Sequence, residues 1–214
     1  MDITWYGHSC FRLVEKGRAT VVTDPFDESL GYPVPKLKAE IVTISHDAPG
    51  HSNAVIVKGT NRIISSPGEY EIGGVFMIGV AMHNQTAMPP KSNVAYLFDY
   101  EGLTVVHLGD LDHVPTQADI EALGNVDIAL VPVGGGGALN STQAAEVISL
   151  IEPSIVIPMH YQAEGSELFT LTLDPVDRFL REMGVSHVQR EDMFKVSASG
   201  LPETTQIVVL NRAS

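Results

Sequence analysis

The 214-residue sequence has one cysteine, one tryptophan and only 13 lysines and arginines against 26 aspartates and glutamates. Each shortage excludes something. A lone Cys10 forbids an intrachain disulfide and any cysteine-rich zinc site, so a metal would be held by His, Asp or Glu, and the unpaired thiol fits a reducing compartment. The formal charge of -13 repels phosphate backbones, and the basic residues are scattered rather than gathered into a stripe, which argues against nucleic acid as a partner. The same acidity is common on soluble proteins, so it excludes more than it establishes. No run approaches the roughly 18 apolar residues of a membrane span. The opening MDITWYGHSC lacks the basic start and apolar stretch of a secretory leader. The expectation is a cytoplasmic protein with no membrane partner.

With 44% hydrophobic residues the chain has material for one large globular domain over residues 1–214, and no linker, repeat or low-complexity block divides it. Short β-branched or aromatic runs punctuated by Gly, Pro and Asp predict strands: DITWY, CFRLVE, ATVVTD, AEIVTIS, AVIVK, RIISS, GVFMIGVAM, NVAYLFDY and LTVVHLGD. AMPPK predicts an exposed loop. Helices are expected at TQADIEALG, at STQAAEVISLIE with Ser141 as N-cap and Ala144, Val147, Ile148 and Ile151 on one face, and at DPVDRFLREMG with Asp174 as cap and Gly184 as stop. The strands VDIALVPVG and SIVIPMH alternate with them. This order points to sheets packed inside and helices outside.

The histidines cluster by position. TWYGH, VTISH, GVAMH and VIPMH each place one where a strand run ends, and Asp110 follows the glycine of HLGDLDH. Loops at strand ends are where ligand sites gather. Any one of these histidines, taken alone, reads as a hydrogen-bonded structural residue. Several together with a carboxylate read as a metal cluster.

WYGHSCF, TDPF, TISH with a second His five residues on, PGEYEIGGV, VVHLGD, VPVGGGG and IVIPMHY follow one another with the spacing of the metallo-β-lactamase superfamily. The chain most resembles a short bacterial branch of metal-dependent hydrolases similar to ascorbate-phosphate lactonases, and the likeness runs from Ile3 to about Tyr161. It implies an α/β fold, an αββα sandwich of two mixed β-sheets face to face with helices on the outer faces. It also implies a one- or two-metal site at one edge.

The first metal loop of that family reads His-x-His-x-Asp-His, and here it is incomplete. His46 and His51 match the outer histidines, while Ala48 and Gly50 stand where a His and an Asp belong. The resemblance makes His83, Asp110 and His160 the remaining ligands, with Asp110 bridging. One half of the site would then keep His46, His83 and Asp110, the other His51, His160 and Asp110. Three protein ligands plus an exchangeable water is the usual makeup of a catalytic zinc site. One divalent transition metal is therefore expected rather than two, with Zn favoured and Mn, Fe or Ni as alternatives. His8 in the GHSCF turn is a further candidate, either as a ligand or as a hydrogen-bond partner to one. Asp110 and His160 are the candidate catalytic residues.

Neighbouring motifs carry two readings each. Asp24 either orients the His46 loop through backbone hydrogen bonds or simply forms a turn before Pro25. Glu69 and Tyr70 either support a ligand imidazole or form a plain turn. His107 is expected in the core, and His113 and His187 on the surface. VGGGGALN imitates a phosphate loop but lacks the Lys of that motif, so its glycines are expected to let backbone approach the cleft, with Asn140 or Ser141 starting the helix.

Two functions remain open. One is a metal-dependent hydrolase acting on a small ester, lactone or phosphate-containing metabolite through activated water, slower than an intact relative because Gly50 removes the water-orienting carboxylate. The other is a catalytically impaired family member retained as a binding or regulatory module. The partner is a small molecule in the first case, and a homo-oligomer is compatible with both.

Overall fold

A computed structural model of the chain describes residues 1–84, 87–88, 90–163, 172–188 and 190–213. Six strands form the first sheet in the order Phe194–Lys195, Asp2–Gly7, Cys10–Val14, Val21–Thr23, Ile41–Thr43 and Arg62–Ile64. The second has seven, in the order Gln206–Ile207, Ile155–Met159, Ile128–Pro132, Thr104–His107, Lys91–Asp99, Val75–Asn84 and Gly68–Ile72. Both sheets are mixed. Val21–Thr23, Ile41–Thr43 and Arg62–Ile64 run parallel in the first. Thr104–His107, Ile128–Pro132, Ile155–Met159 and Gln206–Ile207 do so in the second.

Alternation along the strands explains why two sheets stack. Phe11, Val21 and Ile41 point into a core shared with Met77, Tyr96, Val105 and Ile128 of the second sheet, while their neighbours Cys10, Val22 and Val42 point the other way into a smaller cluster around Phe26, Leu30 and Tyr32. That outer face of the first sheet is covered by the chain from Pro25 to Lys58, whose helical content among the described residues is two 3-10 turns, Glu28–Leu30 and Ala54–Ile56. The α-helices are Gln117–Leu123, Ser141–Ile151 and Val176–Glu182. Ser141–Ile151 buries Ala144, Val147 and Ile148 against the Ile128–Pro132 side of the second sheet, on the face its periodicity predicts.

Four local expectations need correction. Asn140, not Ser141, caps its helix, accepting from the Gln143 N–H while Gln143 bonds back. Asp174 is not a cap: Pro175 takes that position without a side-chain bond, and the Asp174 carboxylate instead receives Arg178 at 2.9 Å. AVIVK is mostly not strand, because Val55 is 90% exposed and only Val57 finds a buried face, so the run becomes a 3-10 turn and a two-residue pairing with Leu37–Lys38. GEYEI is neither turn nor ligand support but the edge strand Gly68–Ile72, with Glu69 exposed and the Tyr70 hydroxyl donating to the Ser66 carbonyl at 2.9 Å. Of the AMPPK loop, Met88 is 93% exposed and Pro89 lies outside the described residues.

Candidate metal centre

Six chemically active side chains meet where strands of both sheets end. From the first sheet come His8, in the turn after Asp2–Gly7, Asp24 after Val21–Thr23, and His46 and His51 after Ile41–Thr43. From the second come Asp110, after Thr104–His107, and His160, directly after Ile155–Met159. The sheets are tied together at this edge: the His160 N–H donates to the His8 carbonyl at 3.0 Å, and the Trp5 indole N–H donates to the same oxygen at 3.0 Å. Strain concentrates here as well. Among the described residues, the non-glycine positions with positive φ are His8, Asp24, Glu101, Glu152 and His160, and three of these belong to the site. Such backbone costs of order 1–3 kcal/mol per residue and persists where the surroundings enforce it, commonly at working sites.

Asp24 organises the histidines of the first loop. One carboxylate oxygen accepts from the Ser45 N–H at 2.7 Å, and the other accepts from the Ser45 hydroxyl at 2.5 Å and from His51 Nδ1 at 2.8 Å. Because His51 donates through Nδ1, the neutral ring presents a lone pair at Nε2. The Ser45 hydroxyl has spent its one proton on Asp24, so at 3.0 Å from His46 Nδ1 it accepts, and His46 too presents a lone pair at Nε2. One buried carboxylate thus sets the tautomers of two candidate ligands, the role carboxylates play behind metal-bound imidazoles. The expected Asp24-to-loop hydrogen bond is present, and the imidazole bond goes beyond it.

The Nε2 atoms converge. His8 Nε2 lies 3.1 Å from His51 Nε2, and the His8 ring centroid is 4.1 Å from that of His160. One ligand atom from each of His8, His51 and His160 falls within 4.8 Å of the others, and all three residues are buried. Asp110 Oδ1 stands 2.9 Å from His160 Nε2, poorly aligned for a hydrogen bond and buried without one. Two nitrogens sharing a tetrahedral zinc at about 2.0–2.1 Å sit roughly 3.3 Å apart, close to the His8–His51 separation, although in this structure that pair is a hydrogen bond in which His8 Nε2 donates to His51 Nε2. The donor set fits a transition metal. Asp24, His46 and His51 also form a close group, but Asp24 is already committed to His51 and Ser45, which makes that group a hydrogen-bond relay.

Charge follows from this crowding. Burial, reinforced by His160 and His51, holds His8 well below the ordinary histidine range, and burial with His51 lowers His46 to a lesser degree, Asp110 and Asp24 opposing. Burial would lower His51 as well, but the Asp24 hydrogen bond and charge raise it. Asp110 is held far below the usual carboxylate range by the surrounding imidazoles, His160 first, although burial opposes this. Buried His107 is likewise lowered. A lowered histidine leaves the folded state short of protons relative to the unfolded chain once pH drops below about 6.5, and stability falls there; raised His51 acts oppositely, stabilising at low pH and losing that as pH rises. Three lowered rings outweigh one raised ring. The urea midpoint of metal-free protein is therefore expected to fall between about pH 7 and pH 5, and a constant or rising midpoint would contradict these assignments.

His83 is placed differently from the other predicted ligands. It is exposed on Val75–Asn84 and lines, with His46, Asp47, Asp110 and Asp112, a cavity of about 600 Å³ in front of the imidazole cluster. Among the described residues it belongs to neither close group of potential ligands. Asp47 is exposed and accepts from the Ser52 hydroxyl. His107 is buried as expected, with Nδ1 accepting from the Gly109 N–H and Nε2 therefore donating to the Ser9 carbonyl at 2.8 Å. His113 is half-buried beside Asp112, and His187 is exposed. The glycine run does bring backbone close: a Cβ at Gly134 would lie 2.3 Å from the His160 carbonyl oxygen.

Ser45 and Asn93 are the functional residues that sequence reading missed. Asn93 is a buried amide at the head of the apolar stretch Val94–Phe98, and its side chain accepts from the Asp110 N–H at 2.9 Å and donates to the Leu108 carbonyl at 2.9 Å, fixing the turn that carries Asp110. A polar residue at an inward position of NVAYLFDY was the available signal. Asn93→Ala strands both backbone groups and is expected to cost about 1–3 kcal/mol for each one left buried. Chemical denaturation reads the loss, and an unchanged midpoint would show that the turn holds Asp110 without Asn93.

Comparison with known proteins agrees with this geometry. Residues 2–160 match the family described as the β-lactamase superfamily domain. A metal-dependent hydrolase of Thermoplasma volcanium in the UPF0173 group is 30% identical over 195 residues, covering 75% of this chain and 83% of its own. A Thermotoga maritima protein classed provisionally as a Zn-dependent hydrolase of the metallo-β-lactamase superfamily superposes with a TM-score of 0.80 at 38% identity, over 98% of this chain and 97% of that one. A metallo hydrolase of Ignicoccus hospitalis shares the fold, with a TM-score of 0.66 at 20% identity over 92% of this chain and 99% of its own. The matched residues, the paired mixed sheets and the histidine-lined edge converge on one conclusion: the chain belongs to the metallo-β-lactamase superfamily.

Proposed function

We propose that the protein is a hydrolase that uses one divalent transition metal, Zn most favourably, to cleave a small ester or lactone. The observation that carries this is the Asp24 relay, which maintains lone pairs on His51 and His46 at a strained, buried edge where a mere scaffold would have no need of them. His51, His160 and Asp110, one half of the family's ligand pattern, stand together and would hold the ion. When bound, such an ion supplies Lewis acidity, polarising the scissile bond and acidifying water.

The chain's own residues supply the rest. His46, neutral because burial lowers it, has its Nε2 on the side of Asp110, 3.9 Å from Oδ2, and lines the cavity. It is the base placed to accept a proton from water there, in place of the carboxylate missing at Gly50. Asn93 holds Asp110, and Met82 and Val94 give the cavity an apolar wall. A cavity of about 600 Å³ is within the range of small-molecule sites, roughly 300–1,000 Å³. Asp47, Asp110 and Asp112 line it against the single cation Lys91, whose ammonium donates to the Gly137 carbonyl at 2.7 Å. That balance favours an uncharged ester or lactone over a phosphate-containing metabolite. A cytoplasmic site of action belongs to the same proposal.

The loss of ligands at Ala48 and Gly50 favours the second reading, a binding module that no longer turns over. A panel of activated esters, lactones and phosphoesters, run on zinc-loaded and chelator-stripped protein, separates the two. Ester or lactone cleavage that chelation abolishes and zinc restores supports the hydrolase. Zinc-loaded protein without activity on any member, but with saturable binding of one, would establish the binding module instead.

A further inference from the structure

We propose that His8 has taken over the ligand position that the family's aspartate would occupy at residue 50, so that this chain builds one four-donor site from His8, His51, His160 and Asp110, in which an activated water would have to enter as a fifth ligand. The inference rests on the metal-dependent reading above and says which atoms hold the ion. A Cβ placed on Gly50 would lie 3.2 Å from His8 Nε2 and 3.4 Å from His8 Cδ2, with Leu30 Cδ2 at 3.2 Å on the other side. The imidazole therefore occupies the space into which a side chain at 50 would grow.

The glycine has no conformational reason to be there. Gly7, Gly109 and Gly134–Gly137 are explained by positive φ or by backbone packed against the Cβ position, whereas Gly50 has no left-handed φ and meets only side chains. What it accommodates is the His8 ring. That ring is held at a cost: His8 is 1% exposed and has a φ of 52°, a conformation few side chains adopt. Its Nε2 donates at 3.1 Å to the His51 Nε2 lone pair that Asp24 maintains, and its ring lies against that of His160, which places the ring where an ion shared with His51 and His160 would sit.

Position 48 has no such replacement. Ala48 is half-exposed, and His83, the other ligand of that half-site, stands on the exposed face of the cavity. One half of the two-metal pattern has been rebuilt around a new imidazole and the other given up to the cavity. A donor set of three nitrogens and one carboxylate selects zinc-like ions over magnesium and calcium.

The test moves the glycine. Zn²⁺ affinity is measured by competition with a chromophoric chelator for the wild type, His8→Gly, Gly50→Asp and the exchange variant His8→Gly/Gly50→Asp. Glycine at 8 keeps the positive φ and the backbone carbonyl that Trp5 and His160 bond, and once the ring is gone a Cβ at 50 meets, of its three nearest neighbours, only Leu30 Cδ2, the end of a side chain that can shift. Thermal unfolding of each metal-free variant checks the fold. Loss of a partner behind a ligand costs about 10–100-fold in affinity. His8→Gly is expected to lose more than that, and the exchange variant to recover to within about tenfold of wild type. His8→Gly that binds within about 100-fold of wild type would overturn the ligand role while leaving the hydrolase reading intact. An exchange variant that folds but does not recover would equally overturn it. Wild-type protein that takes up no zinc would bring down both, a result separable from the others because it precedes any substitution.

Discussion

Asp110→Ala is expected to remove zinc binding altogether, and His160→Asn to do the same, while His46→Ala keeps one ion per chain. Asp110 lies within 2.9 Å of His160 Nε2 and 3.9 Å of His46 Nε2, so it serves whichever group of imidazoles is occupied. The structure singles out the side of His160: His8, His51 and His160 are buried together, whereas His46 is partly exposed and His83 stands apart on the cavity wall. Asparagine at 160 tolerates the positive φ of that position, so the loss would report the ligand rather than the backbone. His46→Ala is expected to lower turnover with metal content unchanged, as befits a base and not a ligand. Equilibrium dialysis with elemental analysis decides it. Full metal at wild-type affinity in Asp110→Ala would mean that the carboxylate is not part of the centre.

Asp24→Asn carries the second large effect. The amide cannot accept from Ser45 and His51 at once without placing an N–H against one of them, so His51 loses its enforced tautomer and Ser45 its anchor. Asp24 is 1% exposed and His51 4%, so the bonds lost are buried bonds to a charged acceptor, each about 1.5–3 kcal/mol. Burial pushes the Asp24 carboxyl up, yet His107 and the bonds from His51 and Ser45 hold it below the usual range, so the wild-type residue is ionised when folded. The expected result is a loss of about 3 kcal/mol together with a roughly 10–100-fold weaker zinc affinity, the latter from the lost orientation of His51. Denaturation and zinc competition measure the two separately. Lost stability with unaltered affinity would reduce Asp24 to a structural residue.

Much of this architecture could be read from the chain because its physical causes are local. The β-branched runs ATVVTD and AEIVTIS marked strands, and the apolar stripe of STQAAEVISLIE marked the face of its helix; both signals lie within a few neighbouring residues. AVIVK misled because its apolar residues fit a strand, whereas Val57 is buried, Ala54 and Ile56 only partly so, and Val55 is exposed. Capping was blurred by one residue at Asn140, where two polar candidates stand side by side, and misassigned at Asp174, where Pro175 takes the position without a side-chain bond. The cluster of histidines at strand ends was legible. What the sequence could not show was distance. That His8 packs against Gly50, that Ser45 relays Asp24 to His46, and that His83 faces outward each depend on how residues from distant strands meet across the two sheets.

The central claim is that a site missing two ligands still holds one ion, and metal content tests it most directly. Protein purified without added metal or chelator, dialysed and analysed for all divalent ions, is predicted to carry one transition metal per chain, predominantly zinc. Protein that carries none and takes up none when zinc is supplied would contradict the account, as would two ions per chain that resist dialysis.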